Sequence, residues 1–256
     1  SILLHNPKTI VQRIQHIEYL LGIFLRKSFS SINAIHVTPG AFSAYRASFF
    51  KKYGGYDVGN ITEDLELSLR IQSRGYIIES CVNDPAYTLG PRDFRTLLVQ
   101  MRRLYTCLIS NTWKYRRLFS PRFGDMGLFV LPVAWISIFF GMYMTFRAVF
   151  KVVSKVRSEL YYLSSINYDI VSDFNFGTLA IKKIFLYVFS NPLTLFLLIF
   201  IVILIAYLYY AQRKVGRREN LASSLVFFFL FFAILFGLWW IISCVYSIFN
   251  RKVKWR

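Results

Sequence analysis

The sequence predicts a mixed α/β domain followed by an α-helical transmembrane region with about three spans. Three observations lead there. The 256 residues are 55% hydrophobic and 19% aromatic, more apolar than a soluble domain of that length usually is. The apolar residues are unevenly placed: before about Arg122 the chain is mixed and charged, and after it come three long apolar runs. Those runs, Gly127–Phe146, Pro192–Tyr210 and Leu221–Phe249, hold no Asp, Glu, Lys or Arg, and each has roughly the 20 residues that cross a hydrocarbon core. A start as early as Ile184 also fits the second run.

The elements follow in order. From Lys8 to Lys27, the residues Val11, Ile14, Ile17, Leu21 and Leu25 recur at helical spacing. Ile35–Ala44 reads as a short extended or looped segment. It bends sharply at Pro39-Gly40, where Pro fixes one torsion and Gly permits a positive φ. Tyr45–Tyr53 predicts a short helix ending at Gly54-Gly55. Thr62 suits the N-cap of the next helix, and Glu63 and Asp64 suit its first turn. Leu65, Leu67, Leu69 and Ile71 follow, and Gly75 ends it. Tyr76–Val82 reads as a strand, Pro85–Pro91 as a loop, and Arg92–Leu118 as an amphipathic helix or pair of helices. Residues 1–91 are therefore expected to form the α/β part, 92–125 interface helices, and 126–256 the membrane helices with their loops.

Net charge is +18, from 31 Lys+Arg against 13 Asp+Glu. The bases stand beside the apolar runs: Arg213, Lys214, Arg217 and Arg218, then Arg251, Lys252, Lys254 and Arg256, with Arg92–Arg122 basic before the first run. Such placement suits anionic lipid headgroups, so membrane lipid is the expected partner and nucleic acid is not. If the N-terminal region faces the cytoplasm, three spans put the Arg213–Arg218 loop inside, as the positive-inside rule prefers. They also put the tail from Arg251 outside, against it. A re-entrant or interfacial segment between Arg147 and Lys183 would restore parity. Cys81, Cys107 and Cys244 are far apart and, with His5, His16 and His36, make no metal-ligand pattern. They read as isolated buried thiols, and no metal-binding residue is expected.

Two short motifs carry chemistry. Acids at a helix start, as in Thr62-Glu63-Asp64, can simply satisfy free amides and complement the dipole. They can also supply a general base, since an alcohol that displaces a diphosphate must lose its proton. Gln100 and Arg103 lie three apart on one helical face, with Arg102 adjacent. Such an array can meet lipid phosphate at an interface, or it can hold a diphosphate leaving group through guanidinium forks.

The order of the pieces adds to this. Gln15-x-x-Glu18-Tyr19 comes first, then Thr38-Pro39-Gly40-Ala41-Phe42-Ser43-Ala44-Tyr45-Arg46 and Gly54-Gly55-Tyr56. Thr62-Glu63-Asp64, Gly75-Tyr76 and Gln100-x-x-Arg103 follow. Over residues 8–118 the series resembles the C-terminal half of the catalytic domain of membrane-embedded, processive, inverting glycosyltransferases of the chitin, hyaluronan and cellulose synthase type. The resemblance implies a GT-A fold and a nucleotide-sugar donor, usually a UDP-sugar. It implies a polysaccharide or lipid-linked acceptor and a multi-pass protein of the cell membrane with its catalytic part cytoplasmic. It implies Asp64 as the base, with Glu63 beside it, and Thr62, Gly40, Gln100, Arg102 and Arg103 as substrate-binding residues. Two departures stand out. The Trp that follows the Arg in these enzymes is Leu104 here, and Tyr105 lies about 100° further round a helix. The Asp-x-Asp metal motif is absent, and no Asp precedes Asp57. Mg²⁺ or Mn²⁺ is thus expected of a longer enzyme whose metal and nucleotide half is missing sequence or a separate chain. Two rival readings are a single-addition transferase acting on a lipid phosphate carrier and a non-catalytic basic membrane protein.

Overall fold

The computed structural model describes residues 2–40, 42–82, 85–165, 192–215 and 221–249. The predicted bases Arg217, Arg218, Arg251, Lys252, Lys254 and Arg256, the residue Ala41, the early start at Ile184 and residues 166–183 of the expected interfacial segment lie outside them. The described residues are mostly helical. They fall into two units, Ser1–Thr145 with Ala211–Arg256, and Phe146–Tyr210.

In the first unit, β1 (Ile2–Leu4) pairs in parallel with β2 (Ala86–Thr88), Leu3 opposite Tyr87. This pair corrects the expectation of a plain loop over Pro85–Pro91. Among the described residues it is also the whole sheet, so a GT-A-type α/β layer is not assembled from them. Between the strands come α1 (Ile10–Ser31), α2 (Ala47–Tyr53) and α3 (Glu63–Ser73). Thr9 starts α1 with a capping box: its hydroxyl accepts from the Gln12 N–H, and the Gln12 side chain accepts from the Thr9 N–H. Gln12 also donates to the Gly90 carbonyl at 3.0 Å, tying the helix start to the chain after β2. Ile14, Ile17, Leu20 and Ile23 form the buried stripe of α1.

Phe49 of α2 packs with Leu67 and Ile71 of α3, walled by Tyr45, Phe50, Tyr53 and Ile78. Gly54 and Gly75 take positive φ, 84° and 74°, and stop the two helices where the sequence predicts. Tyr76–Val82 forms no strand. Its apolar residues are used in packing: Ile78 lies on the α2–α3 cluster and Val82 is buried, with no ladder partner among the described residues.

The helix α4 (Phe94–Lys114) is capped by the Asp93 carboxylate, which accepts from the Thr96 N–H at 2.8 Å. Short turns at Arg116–Leu118 and Pro121–Phe123 and a π-helical turn at Met126–Val130 lead into α5 (Leu131–Ser165). After α6 (Pro192–Lys214) comes α7 (Ala222–Ile248). The stretches Met126–Tyr162, Thr194–Lys214 and Ala222–Ile248 are long and apolar enough to cross a membrane. The first extends past the predicted end at Phe146, because the helix continues without a break through Arg147–Ser165. One side of α7 packs on α1 and α4: Val11, Leu97, Met101 and Trp239 share a buried cluster with Leu98, Tyr105, Phe232 and Leu235. In the second unit, α6 exposes apolar side chains such as Phe196, Ile199, Phe200 and Ile203, as a lipid-facing helix does.

Candidate active site

Asp64 sits in the first turn of α3. Its Oδ1 accepts from the Leu65 N–H at 2.8 Å, and the Gly40 N–H also favours its ionised form. Burial works against both and raises its pKa overall, with Glu63 adding to the rise. The Pro39-Gly40 turn is held against this helix by hydroxyls. The Thr38 N–H donates to Ser68 Oγ at 3.2 Å, the two side-chain hydroxyls bond each other, and Ser68 Oγ donates to the Asp64 carbonyl at 2.7 Å. Ser43 Oγ closes the turn on the Pro39 carbonyl at 2.6 Å. Gly40 thereby lies so close that a Cβ there would stand 3.0 Å from Asp64 Oδ2.

Thr62 occupies the N-cap position but its side chain makes no capping bond. Its hydroxyl is taken sideways instead: it donates to Asn60 Oδ1 at 3.4 Å and accepts from Asn111 Nδ2 of α4 at 3.2 Å. The expected cap is therefore a crosslink between α3 and α4. The physical reason is Asn111, a buried amide that needs partners.

The three candidates on α4 point in two directions. Gln100 lies against the Tyr19 hydroxyl of α1 and lowers its pKa, while burial raises it by more. Arg103 and Asp64 are both within electrostatic reach of the buried Cys107 thiol. Burial pushes that thiol up, Arg103 pulls it down and Asp64 pushes it up further. Arg102 instead faces α7, its guanidinium 4.5 Å from the centre of the Tyr246 ring. Leu104 is half-exposed, and the adjacent Tyr105 is stacked on Trp240 at 4.4 Å.

A cavity of about 380 Å³ is lined by Asp57, Gly59, Asn60, Thr106, Cys107 and Ser110; it reaches Cys107 but has none of Asp64, Gln100, Arg102 or Arg103 in its walls. A larger one of about 870 Å³, between Thr38–Arg46 and Gly75–Cys81, has Arg26 and Arg46 in its walls but none of Asp64, Gln100, Arg102 or Arg103. The sequence predicts Cys107 only as an isolated buried thiol; it is buried, but beside Thr62, Asp64 and Arg103, while Cys81 is exposed, against the expectation. The signal for Cys107 was its spacing, seven residues after Gln100 on the same helical face. Among the described residues no three His, Cys, Asp or Glu side chains converge as a metal site.

No family model and no solved structure matches the chain. Curated relatives do match part of it. Poly-β-1,6-N-acetyl-D-glucosamine synthases of Staphylococcus aureus strains COL, MSSA476 and MRSA252 are each 32% identical over 78 residues, 30% of this chain and 19% of theirs. The match thus takes in about a fifth of the relatives' length. At that coverage the chain shows a weak, partial similarity to a polysaccharide synthase of glycosyltransferase type, alongside its three apolar helices.

Proposed function

We propose that this protein transfers a sugar, with inversion, from a nucleotide-sugar donor to a growing polysaccharide at the cytoplasmic face of a membrane. The donor is a UDP-sugar, and the similarity to poly-β-1,6-N-acetyl-D-glucosamine synthases favours N-acetylglucosamine as the unit. The observation that carries the reading is the hydrogen bond from Asn111 Nδ2 of α4 to Thr62 Oγ1 at the start of α3, 3.2 Å, beside which Asp64 and Arg103 both act on the Cys107 thiol. It puts an acid and a guanidinium on two helices that Thr62 and Asn111 hold together. Asp64 takes the proton of the acceptor hydroxyl, whose oxygen bonds to the anomeric carbon as the carbon–diphosphate bond breaks on the opposite side. Arg103 and Gln100 bind the departing diphosphate oxygens, where charge develops. Arg102 is a further cation of this helix, and Glu63 keeps the Asp64 carboxyl basic. Burial serves the same end, because a carboxylate with a raised pKa is the stronger base.

A second reading, single addition to a lipid phosphate carrier, is favoured by one observation. Leu104 offers no aromatic face to an acceptor chain, and Tyr105 is occupied by Trp240. Product length separates the two. The decisive test is Asp64→Asn in the native protein, reconstituted in nanodiscs with labelled UDP-N-acetylglucosamine. Transfer should fall by about 10²-fold or more. Near-parental transfer would remove Asp64 from the chemistry. Parental behaviour of Gln100→Ala and Arg103→Ala as well would leave a non-catalytic membrane protein.

A further inference from the structure

We propose that Trp240 and Tyr246 of α7 are positioning residues for the site helix α4, so that a candidate membrane span sets where the diphosphate clamp stands. The proposal rests on the function proposed above for what the clamp does, though not for the contact itself. The two faces of α4 carry different work. Gln100 meets Tyr19 of α1 and Cys107 meets Thr62 at the start of α3, and helical spacing puts Arg103 on that same face. Leu97, Met101, Arg102 and Tyr105 look toward α7. Trp240 is 1% exposed and stacks on Tyr105 with ring centres 4.4 Å apart and planes 12° from parallel. It also meets Trp135 of α5 edge-on at 6.1 Å. One indole thus wedges the site helix and the start of α5 together. Its Nε1 has no hydrogen-bond partner, so shape and ring contact are what it contributes. Six residues along α7, the Tyr246 ring faces the Arg102 guanidinium at 4.5 Å, within the ~6 Å of an effective cation–π contact. The Nε of Arg102 is buried without a hydrogen-bond partner.

The two faces cannot move independently. Arg102 and Arg103 are about 100° apart on one rigid helix, so turning Arg102 off its ring turns Arg103 by the same angle. At the radius of helical side chains, about 5–6 Å, a 10° rotation moves Arg103 by about 1 Å. A misplacement of about 1 Å in a catalytic array can cost about 10²-fold. Arg102 then acts through the position of its helix, held by α7, while Arg103 meets the diphosphate.

The test uses the native protein in nanodiscs with three variants: Tyr246→Phe, Tyr246→Leu and Trp240→Leu. Donor KM and kcat are read with labelled UDP-N-acetylglucosamine. Alkylation of the native buried Cys107 is read by peptide mass spectrometry against the exposed Cys81. Tyr246→Phe keeps the ring face and should stay within about threefold of the parent in both readouts. Tyr246→Leu and Trp240→Leu should lower kcat by about 10- to 100-fold with donor KM little changed, and should alkylate Cys107 about 10-fold faster. Arg102→Gln should lower kcat similarly and should not add to Tyr246→Leu, because both break one contact. Parental kcat and parental Cys107 protection in the leucine variants would overturn the proposal. So would a phenylalanine variant as impaired as the leucine one, or full additivity with Arg102→Gln. If the parent transfers no sugar, the function proposed above fails, while Cys107 alkylation still decides whether α7 holds α4.

Discussion

Gly40 is the residue where the least chemistry should have the largest effect. A methyl there would meet Asp64 Oδ2 at 3.0 Å, closer than a carbon and an oxygen normally rest, so the carboxylate must shift by a few tenths of an ångström. Gly40→Ala is expected to cut kcat by about tenfold or more through loss of alignment. Its melting temperature should stay near the parent's, because the clash is with one side-chain tip. A melting temperature that falls in step with activity would show that the turn, not the carboxylate, gives way. Glu18 makes a different prediction. Burial lifts its carboxyl to about 7, its Oε2 has no hydrogen-bond partner, and the phenols of Tyr19 and Tyr105 near it are neutral there. Between the ordinary carboxylate value, 4.5, and about 7, an unfolded chain has released this proton while the folded chain still holds it. Stability therefore falls as pH rises through that window and levels off above it. The full drop is about 3 kcal/mol at 1.36 kcal/mol per unit. Glu18→Gln should remove that slope and be the more stable protein at pH 8, with little difference at pH 4. Melts of both proteins at several pH values in one detergent check it, and an unchanged slope would show that another group carries the pH dependence.

Among the elements, α3 is fixed by a network that the sequence shows only as scattered charges. Glu66 is 2% exposed and meets Arg70 at 3.1 Å, Lys114 at 3.4 Å and the Tyr115 hydroxyl. Arg70 continues to the carbonyls of Tyr53 at 3.0 Å and Gly55 at 2.7 Å. One buried carboxylate thus gathers α3, the end of α4 and the turn after α2. Glu66→Ala would leave cations facing a dry hole and should cost about 3–5 kcal/mol in denaturant unfolding. The exposed Lys114–Asp57 pair, 2.9 Å apart, should matter far less: Asp57→Ala is expected within about 1 kcal/mol of the parent. Equal costs would mean that Glu66 is solvated in solution. The ends of α2 and α3 were legible because Gly54 and Gly75 and the acids after Thr62 act locally. Of the buried stripe of α1, Val11, Ile14 and Ile17 were legible from helical spacing, whereas Leu21 is only partly buried, Leu25 is 50% exposed, and Leu20 and Ile23 take their places. What lies against a stripe is not local. Nothing around Val11 or Met101 says that Trp239 is their neighbour, and nothing around Thr62 says that Asn111 draws its hydroxyl away from the cap. Tyr76–Val82 has a strand's composition, but a strand also needs a partner. The three-residue strands at Ile2 and Ala86 are too short to show a period of two. Asp64, Gln100 and Arg103 enter the proposed function through residue type, spacing and the order of the motifs that carry the resemblance. That Arg102 turns away from Arg103 toward Tyr246 depends on α7, more than a hundred residues downstream in sequence.

At the scale of the whole molecule, the question is what covers the apolar helices. One side of α7 is buried on α1 and α4, yet Val226, Leu230, Ile234 and Ile248 on it remain between 48% and 78% exposed. Left in water, these side chains would add up to an apolar patch larger than soluble monomers tolerate. Lipid is the cover that composition supports, since the helix has 27 residues and a hydropathy of 2.7 over its most apolar stretch. Three crossings would fix the order of sides. If residues 1–125 face the cytoplasm, α6 would end on the cytoplasmic side at Arg213 and Lys214, and α7 would deliver Phe249 to the far side. Cys81 is exposed and serves as the internal marker of the first side. In sealed vesicles of known orientation, a membrane-impermeant maleimide should label Cys81 and Arg213→Cys from one side and Phe249→Cys from the other. Labelling of all three from the same side would mean that α7 lies along the interface, its exposed face in lipid and its buried face on α1 and α4. That outcome would bring the Arg251–Arg256 bases to the cytoplasmic side, where the positive-inside rule prefers them. The rule and the length of α7 thus pull in opposite directions, and length should win. Four bases at one end bias orientation by a few kcal/mol at ~1 kcal/mol each, whereas 27 residues without a charge have no hydrated segment to stop their entry.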